Sequence, residues 1–250
     1  MTTVVVHTWA RDPGNALVRP DGTLEWRSAK LAPGEDDPAA VATAVAVAAA
    51  RGGDAVALTL GDGDPSWALA RGATRAVVIA DAEGGAGELE LDEAGVAGLL
   101  AAGVRAVEGA DVVVIGDSEA HPGVAGALAG QLGWSAVLAA SQVQVTSDGL
   151  EVVRRVAEGV QTLLVTPPVV VGVRADQAES RAPGMKEQLA ARKRPVQKLA
   201  VADLDVTAAP QVEVESTRLP STQGARLFDG SPQEAAQALV AALRSEGAVR

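Results

Sequence analysis

Asp111-Val112-Val113-Val114-Ile115-Gly116 is an apolar run closed by a glycine. It reads as a strand buried on both faces, the habit of parallel sheets. The loop that follows, Asp117-Ser118-Glu119-Ala120-His121-Pro122, leads into the small-residue segment Gly123 to Trp134, a helix suited to close packing on a sheet. Ligands of open α/β sheets sit outside such strand ends. Further on come Ala136 to Val145, a Ser147-Asp148-Gly149 turn, Leu150 to Val156, Thr162 to Val165, and Val169 to Val173 after the pair Pro167-Pro168. Upstream, the pattern alternates strands near 3 to 8, 54 to 60 and 75 to 80 with helices near 38 to 51, 65 to 71 and 91 to 107. The alternation predicts an α/β fold: a doubly wound, mostly parallel sheet between two helical layers.

Two additions flank this core. Asn15 to Val18 and Thr23 to Arg27 enclose Arg19-Pro20-Asp21-Gly22, an Asp-Gly turn signal for a hairpin. Pro38 to Ala50 is almost wholly Ala and Val, so a helix there is buried at close range, with Asp37 as the expected N-cap and Pro38 in the first turn. Beyond Val196, Ala202 to Pro220 reads as an extended arm that needs a surface to lie on. Ser231-Pro232-Gln233-Glu234 then opens a final helix with a capping box, its apolar face Ala235, Leu239, Val240 and Leu243. The expected division is a core over 1–198, including a basic segment at 181–198, and an arm with a helix over 199–250.

The composition excludes several functions. The chain has 250 residues, 48% hydrophobic, which is ample for a core. No run of 18 apolar residues and no charged-then-apolar leader is present, so the expectation is a cytoplasmic protein without membrane insertion. With no cysteine and only His7 and His121, thiolate chemistry is absent and a metal cluster has few ligands. The formal charge of −11 argues against nucleic acid as a partner. The distribution is uneven, however: residues 181–198 carry Arg181, Lys186, Arg192, Lys193, Arg194 and Lys198 against Glu187 alone.

Catalytic patterns are missing. Ser118, His121 and Asp117 share one short loop with no nucleophile elbow. His7, at a strand end, reads as an ordinary hydrogen-bonded histidine, and the acids Glu35, Asp36 and Asp37 as helix-start charges. Gly61-Asp62-Gly63-Asp64 follows a strand but lacks a third glycine and carries two acids, so it does not read as a phosphate loop.

The order of the pieces resembles the β subunit of electron transfer flavoproteins. There a glycine-ended strand precedes a nucleotide loop, a helix ending in L-x-W and a hairpin. The matching pieces are Val113 to Gly116, Leu132-Gly133-Trp134, Ala140-Ser141-Gln142-Val143 and Leu150-Glu151-Val152-Val153-Arg154-Arg155. Glu179-Ser180-Arg181-Ala182-Pro183 and Ala191-Arg192-Lys193-Arg194-Pro195-Val196 follow the family's N-E-P-R-Y and A-K-K-K-P-I. Val4 to Asp12 resembles its opening strand and V-K-R-V-x-D turn, and Arg19 to Leu24 its next hairpin.

The resemblance implies an adenine nucleotide alpha hydrolase-like fold and an FAD-containing heterodimer with an alpha subunit that holds most of the flavin. It implies that the Asp12 turn and nearby strand ends close one side of the flavin ring. The donor would be a flavoprotein dehydrogenase and the acceptor a quinone-linked oxidoreductase of the respiratory chain, with no catalytic side chain on this subunit. It implies candidate AMP positions at Val6, Gly34, Glu35, Asp36, Asp37, Leu60, Gly116, Asp117, Ser118, His121, Gly123, Val124 and Ala125. It also implies a dehydrogenase-docking segment with Met185 at the anchor position, Leu189 beside it, and Arg192, Lys193 and Arg194 behind.

The sequence departs from the family at the nucleotide loops. N-P-F-D has become Gly34-Glu35-Asp36-Asp37, Q-T-G reads Gly123-Val124-Ala125, and both glycine loops are contracted. Each added like-charge pair at about 4 Å costs on the order of 4 kcal/mol. AMP binding is therefore expected to be weakened or lost, with the pocket collapsed onto its own side chains. A second flavin in this subunit would need still more room. The alternative is a non-redox adenine-nucleotide-binding or scaffold protein on the same fold.

Overall fold

Valine-rich strands separated by small-residue helices build the centre of the chain. The computed structural model describes residues 1–11, 16–26, 31–61, 63–80, 91–117, 121–175, 182–206, 212, 215 and 225–248. In chain order the elements are β1 (Thr2–Val6), β2 (Trp9–Arg11), β3 (Ala16–Val18), β4 (Leu24–Trp26), β5 (Leu31–Pro33), α1 (Asp37–Ala50), β6 (Asp54–Leu60), α2 (Ser66–Ala70) and β7 (Arg75–Ala80). Then follow α3 (Glu93–Arg105), β8 (Ala110–Gly116), α4 (Val124–Leu132), β9 (Ser135–Thr146), β10 (Gly149–Val156), β11 (Gly159–Val165), β12 (Val169–Val173), α5 (Met185–Ala191), β13 (Val196–Ala200) and α6 (Pro232–Ser245).

Among the described residues, nine strands form the main sheet in the order β11-β10-β9-β12-β8-β1-β6-β7-β13. From β9 to β13 every neighbour pairs parallel, while β10 and β11 extend one edge as an antiparallel hairpin. The two-residue period of the strands sorts the core. Val5, Val112, Val114, Val169 and Val171 meet α1, whose Ala40, Val41, Ala44 and Val47 are buried. Val4, Val6, Val113, Ile115 and Val170 meet α3 and α4 on the other face. Helices thus cover both faces, as the apolar strands require.

Two local findings refine the expectations. Helix α1 begins one residue earlier than the cap reading required: Asp36 is its N-cap, without a side-chain cap bond, and Asp37 is the first helical residue. Asp37 turns inward instead of capping, because its carboxylate has better donors in the loops beside it. At the exit of α4, Gly133 adopts φ 69°, a left-handed cap that a glycine takes without a Cβ penalty, and the Trp134 amide donates back to the Ala129 carbonyl at 3.0 Å.

The chain divides into two compact units, Met1–Leu17 with Glu25–Glu215, and Val18–Leu24 with Ser216–Arg250. The second contains α6, closed by the expected capping box: Ser231 and Glu234 bond each other's backbone and side chain. No helix among the described residues is long and apolar enough to cross a membrane.

Candidate functional site

Strand order fixes where a ligand crevice can lie. The chain runs from β1 outward to β6 and β7, then α3 carries it back to β8 on the opposite side of β1. The carboxyl ends of β1 and β8 therefore form a switch point, the usual crevice of open α/β sheets. The residues there are Val6 and His7, Gly116 and Asp117, and the amino ends of α1 and α4.

The crevice between β1 and α1 is filled by Asp37, 1% exposed. Its Oδ2 accepts the Gly34 amide at 2.8 Å and the Thr8 amide at 3.2 Å. Burial pushes its pKa up to about 7, against those two hydrogen bonds and with the Asp36 charge adding to the rise. A Cβ on Gly116 would lie 2.7 Å from Asp37 Oδ1, so a glycine there is what admits the α1 start. The Asp36 carboxylate accepts the Ala175 amide at 2.7 Å, tying the same turn to the end of β12.

Beside this seam is a cavity of about 360 Å³ lined by Glu35, Asp36, Asp117, Ser141, Arg155 and Arg174. Asp117 pairs with Arg174 at 3.0 Å. Ala139, in its wall, holds φ 58°, an uncommon left-handed conformation for a residue with a Cβ.

On the β6 side the crevice is closed by rings. His7 is fully buried, stacked on Trp67 with centroids 5.5 Å apart and edge-on to Trp9 at 6.4 Å. The Arg71 guanidinium lies over the same Trp67 ring, 4.0 Å from its centroid. The expected hydrogen-bonded histidine is not found: among the described residues neither ring nitrogen has a partner, nor has Trp9 Nε1. Burial lowers the His7 pKa to about 4, with Asp64 opposing and Arg71 reinforcing the shift.

At the amino end of α4, the Gly123 amide donates to Glu93 Oε1 at 3.0 Å, across 30 residues of sequence. His121, half-buried beside it, has its pKa lowered by burial and partly restored by the Glu93 charge. Val124 and Ala125 are buried against the α3–α4 layer and present no polar group.

The structure thus brings Gly34, Asp36, Asp37, Gly116 and Asp117 together, with Glu35 at the rim and His121 and Gly123 at the next helix. Val6 and Leu60 pack into the core on the α3–α4 face. Asp12 and Ser118 lie outside the described residues. In the basic segment, Met185 is 78% and Leu189 56% exposed on α5. Arg192 and Lys193 are exposed, but Arg194 folds back and donates to the Leu69 carbonyl at 2.7 Å and to that of Ala73. Sequence reasoning missed Glu93 and the Trp9–Trp67 pair; two of the chain's four tryptophans falling just after the first strand and at the start of the helix after β6 was the available signal for the latter.

Comparison with known proteins converges on one family. Residues 29–204 match the model of the electron transfer flavoprotein domain. The chain is 33% identical over 156 residues to a probable electron transfer flavoprotein subunit beta of Schizosaccharomyces pombe, covering 61% of this chain and 59% of that protein. It is 29% identical over 113 residues to an electron transfer flavoprotein subunit beta of Bacillus subtilis, 44% of each chain. The corresponding Bradyrhizobium diazoefficiens subunit is 30% identical over 122 residues, 49% of this chain and 47% of that one. The matched region therefore spans about half the length of these relatives.

Proposed function

This chain belongs to the electron transfer flavoprotein family, as a relative of its beta subunits, and on that premise we propose that it is the beta subunit of an electron-carrying heterodimer. The observation that carries the reading is the match over residues 29–204, which takes in every strand of the main sheet except β1, and the basic segment after β12. The fold in this reading is the adenine nucleotide alpha hydrolase-like one.

The family is associated with a flavin. The cavity bounded by Glu35, Asp36, Asp117, Ser141, Arg155 and Arg174, at about 360 Å³, is at the low end of small-molecule pockets and suits a part of FAD rather than the whole. That agrees with a cofactor held mainly by an alpha subunit and closed on one side by this chain. When bound at such a seam, FAD supplies the electron chemistry. This chain's residues supply walls and charge: the Arg155 and Arg174 guanidiniums and the Ser141 hydroxyl for polar edges, and the Asp36 bond to Ala175 for the shape of the rim. The Asp12 turn, outside the described residues, is proposed from the family resemblance alone to close one side of the flavin ring.

AMP has no place in this reading. The buried Asp37 carboxylate fills the β1–α1 seam, and the rings of His7, Trp9 and Trp67 close the β6 side. Electrons come from a flavoprotein dehydrogenase docking on α5 and leave to a quinone-linked oxidoreductase, in the cytoplasm. The 199–250 region docks on the alpha subunit.

Co-expression with a candidate alpha subunit tests the proposal. A yellow 1:1 complex with one FAD and no AMP in an acid extract is the expected result. A stable colourless monomer without flavin affinity would favour a scaffold on the same fold, and stoichiometric AMP would overturn the loss of the nucleotide.

A further inference from the structure

The contact between α3 and α4 is unusual in what it joins. The amino end of a helix carries unsatisfied amides and the positive end of its dipole, and attracts anions. At α4 that position is already taken. Gly123, the N-cap, has no side chain to offer, and its amide donates to Glu93 Oε1 at 3.0 Å. Glu93 is free to reach across because α3 is capped by another residue: the Asp92 carboxylate accepts the Gly95 amide at 2.8 Å. Gly123 fits the arrangement in its turn, since a Cβ there would collide with Glu93 Oε2. The next residues, Val124 and Ala125, are buried and apolar, so no side chain competes for the helix end.

We infer that Glu93 is a built-in anion, which holds the amino end of α4 in place of a ligand's phosphate and so excludes a phosphate group from that helix end. This rests on the reading above that the chain has lost its nucleotide, and it assigns the exclusion to one residue. A fixed carboxylate satisfies the same amide and dipole that a phosphate oxygen would use. It also repels any second anion brought to the same amide. The buried Asp37 takes up the β1–α1 seam; Glu93 removes the anchor for a phosphate. His121, whose pKa burial lowers and the Glu93 charge partly restores, stands as a local reporter of which anion is present.

The test uses the full chain, with inorganic phosphate as the probe and the His121 ring resonances as the readout. In Glu93→Ala the expected phosphate affinity rises about tenfold over the native chain, with the His121 shift saturating on titration. In Glu93→Gln the amide oxygen can still accept from Gly123 but the charge is gone, so His121 should titrate at a lower pH than in the native protein. A folded Glu93→Ala chain with native phosphate affinity would overturn the inference. So would native phosphate affinity in a folded Glu93→Gln chain, which also serves if the alanine variant fails to fold. AMP retained by the native chain would instead count against the proposed nucleotide loss, so the two failures are distinguishable.

Discussion

Asp37 and His7 are the two buried ionisable side chains nearest the crevice, and their pKa values move in opposite directions. Asp37 rises from 3.8 to about 7, so its proton is held more tightly in the folded chain. Its contribution to stability is complete below pH 3.8 and is lost as pH rises through about 7. His7 falls from 6.5 to about 4, so its contribution is complete above pH 6.5 and is lost as pH falls through about 4. Each alone changes stability by at most roughly 1.4 kcal/mol per pH unit. In the overlapping window the two slopes cancel, leaving a decline between pH 6.5 and about 7 that belongs to Asp37. Urea unfolding across this range checks the assignment. Asp37→Asn should remove that decline and gain about 1–2 kcal/mol at pH 8, because an amide oxygen can take the Thr8 and Gly34 bonds without a buried charge. If Asp37→Asn retains the native slope, the buried titration lies elsewhere. His7→Phe should instead expose Asp37's fall through the whole window, at little packing cost beside two tryptophans.

At the scale of elements, Arg194 separates docking from architecture. Its guanidinium closes the carboxyl end of α2 through the Leu69 and Ala73 carbonyls, next to β13, which pairs with β7. Arg194→Ala should cost about 1.5–3 kcal/mol of stability, the range for hydrogen bonds to a charged group. Lys193→Ala should stay within about 0.5 kcal/mol, as an exposed side chain does, while weakening dehydrogenase docking. Equal melting temperatures for the two variants would contradict this division. The sequence could not make it, since both residues sit in one basic run and only the fold shows which of them bends toward α2. The strands were legible for the opposite reason. Val112 to Ile115 and Val169 to Val173 are apolar on both faces, and no environment but a covered parallel sheet suits them. The crevice was half legible. The family resemblance placed Gly34 to Asp37 near Gly116, but Glu93 reaches Gly123 only because α3 and α4 pack side by side, and no local pattern encodes that.

At the scale of the molecule, the question is what covers the exposed apolar surface. Helix α6 buries none of its residues, and Leu239 and Val240 remain 45% and 42% exposed. A helix of 14 residues is marginal by itself in water, even with a capping box at one end and Arg244 in its last turn. Its amphipathic pattern is therefore best explained by a partner, and the proposed alpha subunit is the one the family supplies. Met185 and Leu189 on α5 form a separate exposed pair, the surface proposed above for dehydrogenase docking. The two surfaces make opposite demands on an experiment. Met185→Glu should slow electron transfer from the dehydrogenase while the heterodimer stays intact. The double change Leu239→Asp and Val240→Asp should weaken the heterodimer by at least about tenfold, since each removes on the order of 1 kcal/mol or more of apolar burial. The melting temperature of the isolated chain should hardly move, because neither side chain is in its core. Analytical ultracentrifugation of the flavin-loaded complex measures the first effect and calorimetry of the free subunit the second. A heterodimer of native affinity in the double variant would mean that α6 is not part of the interface.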